Sequence, residues 1–170
     1  WQAAEASLGR AVLSNQVQYS LVARSPDRGG MVRWAEENDR LVIAYSPLAQ
    51  GFLSAKWDGT SMPGGVRSGN ALFLPENVER ARPLLDALRE IAAAHGATPA
   101  QIALAWVIRR PNVVAIPGAS SVKQLESNAA AADIDLTEDD DARLTEASDA
   151  FDPVRGPTAW LELAKRRFTR

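Results

Sequence analysis

Two short segments carry residue types that could hold a charged small molecule. The first, Ala44-Tyr45-Ser46-Pro47-Leu48-Ala49-Gln50-Gly51, puts an aromatic side chain at the end of an apolar run, then a hydroxyl, small residues and a glycine. A turn of that composition can bring backbone N–H groups close to a diphosphate, while Tyr45 offers a flat surface to a heteroaromatic ring. The second, Val113-Val-Ala-Ile-Pro117-Gly118-Ala119-Ser120-Ser121, runs directly into helical sequence. Unbonded N–H groups and the helix dipole would both face that turn, which makes it an anion site by geometry. Gln124 and Asn128 lie four apart on one face of the same helix, where both could reach over one ligand. Blander roles suit these residues too: Tyr45 as a core residue before a structural turn, and Gln124 as the partner of Ser121 in a capping box. The chain has no Gly-x-x-x-x-Gly-Lys-Ser/Thr loop and no Gly-x-Gly-x-x-Gly turn, so the two familiar phosphate fingerprints are absent.

The elements that must position these turns alternate between apolar runs and helical stretches. Residues 1–8 read as the end of a helix, Gln16 to Ser20 as a strand, and Gly29 to Asn38 as a helix with Met31, Val32, Trp34 and Ala35 on one flank. Leu41 to Tyr45 is a strand stopped by Ser46-Pro47. From Gly51 to Leu74 the composition turns to Gly, Ser, Pro and Asn, and a loop that long is usually functional or disordered. One long helix is predicted from Pro75 to His95, buried along Leu84, Leu85, Leu88, Ile91 and Ala92 and closed by Gly96. Thr98-Pro-Ala-Gln101 opens the next helix with a capping box, Asn112 to Ile116 is a third strand, and Ser121-Val-Lys-Gln124 starts a helix to about Ala131. Thr137 caps an acidic-first helix to about Ala150, and a short helix is expected around Trp160–Arg167. Repeated βα units imply a parallel sheet with helices outside, its first and third strands buried on both faces. Both candidate turns then fall at C-terminal strand ends, the face where parallel α/β folds bind ligands.

Composition removes several classes of function. The 170 residues carry 19 Lys+Arg against 21 Asp+Glu, a formal charge of −2 that argues against nucleic-acid binding by counterion release. With no cysteine there is no disulfide, thiol nucleophile, iron–sulfur cluster or thiolate zinc site, and one histidine excludes any site needing two imidazoles. No apolar run approaches the ~18 residues of a membrane span, and a soluble, cytoplasmic protein is expected. The chain opens on Trp1 rather than Met and runs straight into helix-like sequence, which suggests that sequence is missing on its N-terminal side. Three parallel strands do not close a barrel, and an eight-stranded (β/α) barrel needs about 250 residues. The chain reads as part of one.

Four segments resemble the C-terminal part of the aldo-keto reductases, in the subgroup that includes bacterial reductases and potassium-channel β subunits. They are Ser14-Asn-Gln-Val-Gln-Tyr-Ser20, Tyr45-Ser-Pro-Leu-Ala-Gln-Gly-Phe-Leu-Ser-Ala-Lys56, Thr98-Pro-Ala-Gln-Ile-Ala-Leu-Ala-Trp106 and Ile116-Pro-Gly-Ala-Ser-Ser with Gln124-Leu-Glu-Ser-Asn128. The resemblance implies an α/β fold: a partial (β/α)8 TIM barrel holding strands of about six to eight, over residues 1–150, with 151–170 as a tail. It implies NADP as cofactor, with NAD as the alternative, and a small aldehyde or ketone as substrate. By the same resemblance Gln16 would hold the nicotinamide carboxamide and Tyr45 would stack on the nicotinamide ring. Ser46, Pro47, Leu48, Gln50 and Gly51 would wrap the pyrophosphate, with Lys56 near it as a cation. Gly118 and Ser120 would meet the 2′-phosphate end, and Gln124 and Asn128 the adenosine.

This sequence departs from the family at Ser127, where Glu is common, and at Ser120 and Gln124, where many members have Arg. A 2′-phosphate could therefore lack its usual guanidinium. The family reduces carbonyls by hydride transfer while a Tyr donates the proton, supported by Lys, Asp and His on the first four barrel strands. None of those four is expected in this chain: Tyr19 and Tyr45 fall in segments with other places, and His95 ends a surface helix. Two alternatives remain beside an ordinary reductase, a dinucleotide-sensing regulatory subunit and a truncated remnant without function of its own. The basic cluster Lys165-Arg166-Arg167 with Phe168 and Arg170 reads as a solvated helix end.

Overall fold

The computed structural model describes residues 1–57, 59–60 and 63–168; the side chains of 66, 68, 160 and 165–168 lie outside that description. Arg170 and the side chains of the C-terminal basic cluster therefore fall outside the described part. The elements run α1 (Gln2–Leu8), β1 (Ser14–Gln18), α2 (Ser25–Arg28), α3 (Met31–Glu37), β2 (Leu41–Tyr45), α4 (Pro75–Arg80), α5 (Arg82–Ala94), α6 (Pro99–Ile108), β3 (Val113–Ile116), α7 (Val122–Ala129), α8 (Glu138–Ala150) and α9 (Gly156–Phe168). The three strands form one parallel sheet in the order β1-β2-β3. This is the α/β architecture of a partial (β/α) barrel.

Period-two alternation decides the two faces of this sheet. Val42 and Ala44 are buried in the core beside α3 and α6, and their register partners Val17, Val113 and Ala115 point the same way. The other face carries Gln16 and Gln18 from β1, Ile43 and Tyr45 from β2, and Val114 and Ile116 from β3. Tyr45, Val114 and Ile116 are 40–48% exposed, so the expectation that β1 and β3 are buried on both sides is corrected. Helices cover one face only, and three strands cannot curl round to cover their own inner face.

The predicted long helix is two. Pro83 has no N–H to give the Glu79 carbonyl and its ring crowds that oxygen, so the chain breaks at Ala81 and restarts as α5, with Leu85 N–H bonded to the Ala81 carbonyl at 2.9 Å. The buried stripe falls where the spacing put it, on Leu84, Leu85, Leu88, Ile91 and Ala92. Gly96, at φ +60°, ends the helix in a Schellman motif: Gly96 N–H bonds the Ala93 carbonyl and Ala97 N–H the Ala92 carbonyl. Thr98 with Gln101 and Thr137 with Asp140 are reciprocal capping boxes. The one at Ser121 is only half formed. Gln124 N–H bonds Ser121 Oγ, but the Gln124 side chain reaches one residue further back, accepting from Ser120 N–H at 2.8 Å and Ser120 Oγ at 2.9 Å. The helix it starts ends at Ala129, and Ala130–Asp133 continue as a 3-10 turn. The terminal helix, Gly156–Phe168, is longer than the short one expected.

The glycine-rich stretch after β2 begins with tight turns over Ala49–Ser54, kinked at Gln50 and Gly51, and continues with short 3-10 turns at Gly65–Gly69 and Ala71–Phe73. Aromatic packing anchors it. Phe52 is fully buried with its ring 5.5 Å from Phe73 and 6.4 Å from Phe151, and Trp57 packs edge-on against Phe73 at 5.2 Å. Trp57 is thereby held against the core. Among the described residues no single helix is long and apolar enough to cross a membrane.

Two outcomes follow from this packing. Leu88→Ala removes a fully buried side chain from the middle of α5 and lowers unfolding stability in urea by about 2–5 kcal/mol. Asp140 gives the second: its partial burial raises the carboxyl pKa, but hydrogen bonds from His95 (2.9 Å) and Thr137 outweigh this and hold it below the ordinary value. A depressed folded pKa stabilises above the unfolded value of about 4 and loses that contribution as pH falls below it. Between pH 5 and 3 the urea midpoint therefore drops further in the natural chain than in Asp140→Asn; parallel curves would contradict the assignment.

Candidate functional site

Parallel pairing sets the ends of the three strands level. Tyr45 lies opposite Gln18 on one side and Ile116 on the other, so the chain leaves β2 and β3 at the same end of the sheet. The Ser46–Gly51 corner and the Pro117–Ser121 turn are consequently neighbours. Below them on the open face, Gln16 is exposed on β1 opposite Ile43, one inward-facing layer beneath the ledge formed by Gln18, Tyr45 and Ile116.

The corner after β2 is the most contorted stretch of backbone. Of five non-glycine residues with left-handed φ among the described residues, four fall here: Ser46 (51°), Ala49 (48°), Gln50 (59°) and Ala55 (54°). Each costs about 1–2 kcal/mol against right-handed backbone, and strain of this kind persists only where the surroundings impose it. Gly51, at φ +89°, continues the left-handed run. The impositions are visible: Ser54 Oγ donates to the Gly51 carbonyl (2.7 Å), Arg89 donates to the Ala55 carbonyl (2.7 Å), and buried Pro47 and Phe52 fix the corner from inside. The result is a concave run of backbone. Ala49 and Gly51 N–H bond back to Ser46 and Leu48, whereas the N–H groups of Leu48 and Gln50 meet no acceptor among the described residues. Such a concavity accepts an anion without rearrangement.

The other predicted residues are distributed as follows. Gln50 is exposed, and its side-chain oxygen accepts from Asn70 at 3.1 Å, which ties the corner to the far end of the long loop. Lys56 is exposed just past the corner and pairs with no carboxylate among the described residues. Gly118 has open space where a Cβ would stand, and its N–H and that of Ala119 are without an acceptor among the described residues. Ser120 and Gln124 are exposed and bonded to each other, while Asn128 is half-buried one turn on. Parallel register thus places Gln16 and Tyr45 on the open face, with Ser46, Leu48, Gln50 and Gly51 in the corner after β2 and Gly118 and Ser120 in the turn after β3, at the same end of the sheet.

Sequence reasoning missed three participants. Gln18 shares the ledge with Tyr45, and its two-residue spacing from Gln16 was the available signal. Buried Asn77 on α4 donates to the carbonyls of Ala71 (2.7 Å) and Val154 (3.2 Å) and accepts from Val154 N–H (2.7 Å), joining loop and tail; its sequence context gives no sign of this. The third is a cavity of about 1000 Å³ beside Gln18 and Gln50, enclosed by the segment after β1, the Gly69–Leu72 stretch and the tail from Pro153 to Gly156.

The remaining titratable candidates have structural settings. Tyr19 is fully buried against Trp106; burial pushes its phenol pKa up, opposed by the Arg109 guanidinium 3.3 Å from its oxygen. His95 bonds Asp140 between α5 and the start of α8. Among the described residues no group of three His, Cys, Asp or Glu side chains is arranged to hold a metal.

Comparison with known proteins agrees with the architecture. The chain is 51% identical over its whole length to an uncharacterized oxidoreductase of Mycobacterium bovis, of which it covers 52%. In solved structures it resembles the thermostable aldo-keto reductase Tm1743 (TM-score 0.64, 29% identity, 86% of this chain and 43% of that one). It also resembles an aldo-keto reductase from Klebsiella pneumoniae in complex with NADPH (TM-score 0.59, 29% identity, 89% and 45%). The chain therefore spans about half the length of the relatives it matches. With the aldo/keto reductase family profile matching residues 1–149, the chain belongs to that family of oxidoreductases.

Proposed function

We propose that this chain forms the dinucleotide-binding part of an NADP(H)-dependent reductase that converts aldehydes or ketones to alcohols. The observation that carries the reading is the level register of Tyr45 and Ile116, which sets two N–H-rich turns side by side above Gln16 and Tyr45. The donor set fits the cofactor. A pyrophosphate matches the Leu48 and Gln50 N–H groups and the Ser46 hydroxyl in a corner whose strain is already built in, with Lys56 as countercharge. Pro47, being buried, contributes by shaping that corner. Tyr45 presents its exposed ring to the nicotinamide, and Gln16 holds the carboxamide. Gly118 lets backbone approach the 2′-phosphate end beside Ser120, and Gln124 and Asn128 flank the adenosine. The bound dinucleotide supplies the hydride. Proton donation is assigned to the rest of the protein, because Tyr19 is buried beneath the surface and Tyr45 is committed to the ring.

The 2′-phosphate end carries a specific observation of its own. No arginine occupies this turn, and the Gln124 oxygen is already engaged by Ser120. The site therefore lacks the guanidinium that would grip a 2′-phosphate bidentately, and NADH is accepted beside NADPH. Gln124→Arg adds the missing guanidinium and tightens NADPH binding roughly tenfold relative to NADH, read as the ratio of KM values. A ratio that does not move would remove the residue from the 2′-phosphate site.

Fluorescence titration of the full-length protein with NADPH tests the main reading. Tyr45→Ala weakens binding roughly tenfold or more if the ring stacks as assigned. An unchanged Kd would sink the stacking role. Tight binding with no turnover of any aldehyde or ketone would favour a dinucleotide-sensing subunit instead.

A further inference from the structure

The cavity beside the dinucleotide site has an uneven charge. Its described lining contains three arginines, Arg24, Arg28 and Arg155, and no aspartate or glutamate, in a chain whose formal charge is −2. Two of the three are already neutralised from behind. Arg24 is buried, pairs with Asp27 at 2.7 Å and also donates to Ser148 Oγ at 3.3 Å. Arg28 pairs with Asp149 at 2.7 Å. Arg155 differs: it is exposed and pairs with no carboxylate among the described residues.

The rest of the lining fits a small organic molecule. Leu21, Val22, Leu72 and Phe151 supply apolar wall, and Gln18 and Gln50 stand where the cavity meets the ledge carrying Tyr45. A ligand seated there has one end near the nicotinamide position proposed above and the other toward the arginines. Asn77 holds both flanking walls, so the cavity keeps its shape without a ligand.

We infer that this cavity selects carbonyl substrates bearing an oxyanion, a carboxylate or a phosphate, and that Arg155 grips that group. A guanidinium without a partner suits either, since its N–H fork matches two oxygens at once. Arg24 and Arg28, engaged by Asp27 and Asp149, leave the contact to Arg155. The inference rests on the reductase reading, and its test separates the two.

Initial rates are measured on the full-length protein with NADPH and three aldehydes: succinic semialdehyde, glyceraldehyde 3-phosphate and butanal. At least one anionic aldehyde is expected to exceed butanal in kcat/KM by about tenfold or more. Arg155→Gln removes most of that preference, through KM, whereas Arg143→Gln, which deletes an equal charge outside the cavity lining, leaves the ratio where it was. Which anionic aldehyde loses more identifies the group as carboxylate or phosphate. A preference for butanal, or a ratio that Arg155→Gln does not move, overturns the inference while leaving the reductase reading intact. Calorimetric titration of the NADPH-bound protein with glutarate and with glycerol 3-phosphate reads the same site without turnover. Binding of either that weakens about tenfold in Arg155→Gln supports the oxyanion grip of Arg155 even if no aldehyde is reduced, in which case the reductase reading falls and takes with it only the carbonyl identity of the ligand. No binding of either oxyanion overturns it.

Discussion

Strand β2 bonds to neighbours on both edges, and that double pairing governs everything above it. A parallel ladder has no freedom to slide by one residue here, because a slip would turn Val42 and Ala44 out of the core and bring Ile43 and Tyr45 in. Once the register is fixed, the corner after Tyr45 and the turn after Ile116 are fixed relative to each other by the ladder itself. The strained backbone from Ser46 to Ala55 can then be imposed locally, by Phe52 and Pro47 packing below and by Arg89 holding the Ala55 carbonyl. A binding surface made largely of backbone N–H groups needs such a frame, since it has few long side chains with which to adjust.

Much of the frame was legible in the sequence because its signals are local. Leu41–Tyr45 is β-branched and ends at Ser46-Pro47, and it is a strand over just those residues. Thr98 and Thr137 precede capping-box partners at the third helical position, and both boxes form. The two candidate turns were found from their residue types, and parallel topology followed from the order of elements. The parts that were not legible depend on contacts distant in sequence. Nothing near Gln124 distinguishes a bond to Ser121 N–H from one to Ser120 N–H; the geometry of the Pro117–Ser121 turn decides it. Pro83 was a visible breaker, yet the continuous apolar stripe of Leu84 to Ala92 masked it. The open face of β1 and β3 could not be read from their weak alternation, because exposure depends on what packs opposite.

Around Trp106 the chain builds a second kind of support. Its ring is flanked by the guanidinium groups of Arg109, 3.8 Å from the ring centre, and Arg24, 5.0 Å away. Arg109 pairs with Asp141 and Arg24 reaches Ser148, so α8 is fastened to α6 and to the segment after β1 through one aromatic ring. Cations over an indole face in a partly dry setting gain about 1–2 kcal/mol each. That fastening matters to the site because the segment after β1 forms one cavity wall.

Asn77 adds a constraint of a different sort. One buried amide satisfies backbone groups from two segments separated by some eighty positions, Ala71 in the loop and Val154 in the tail. An insertion or deletion in either segment that shifts its backbone by a single residue would strand this amide in a dry interior, at a cost comparable to losing a well-packed side chain. Loop and tail lengths are thereby coupled: relatives that widen one must re-cut the other, and new pocket shapes in this architecture arise by paired change or by replacing the asparagine first.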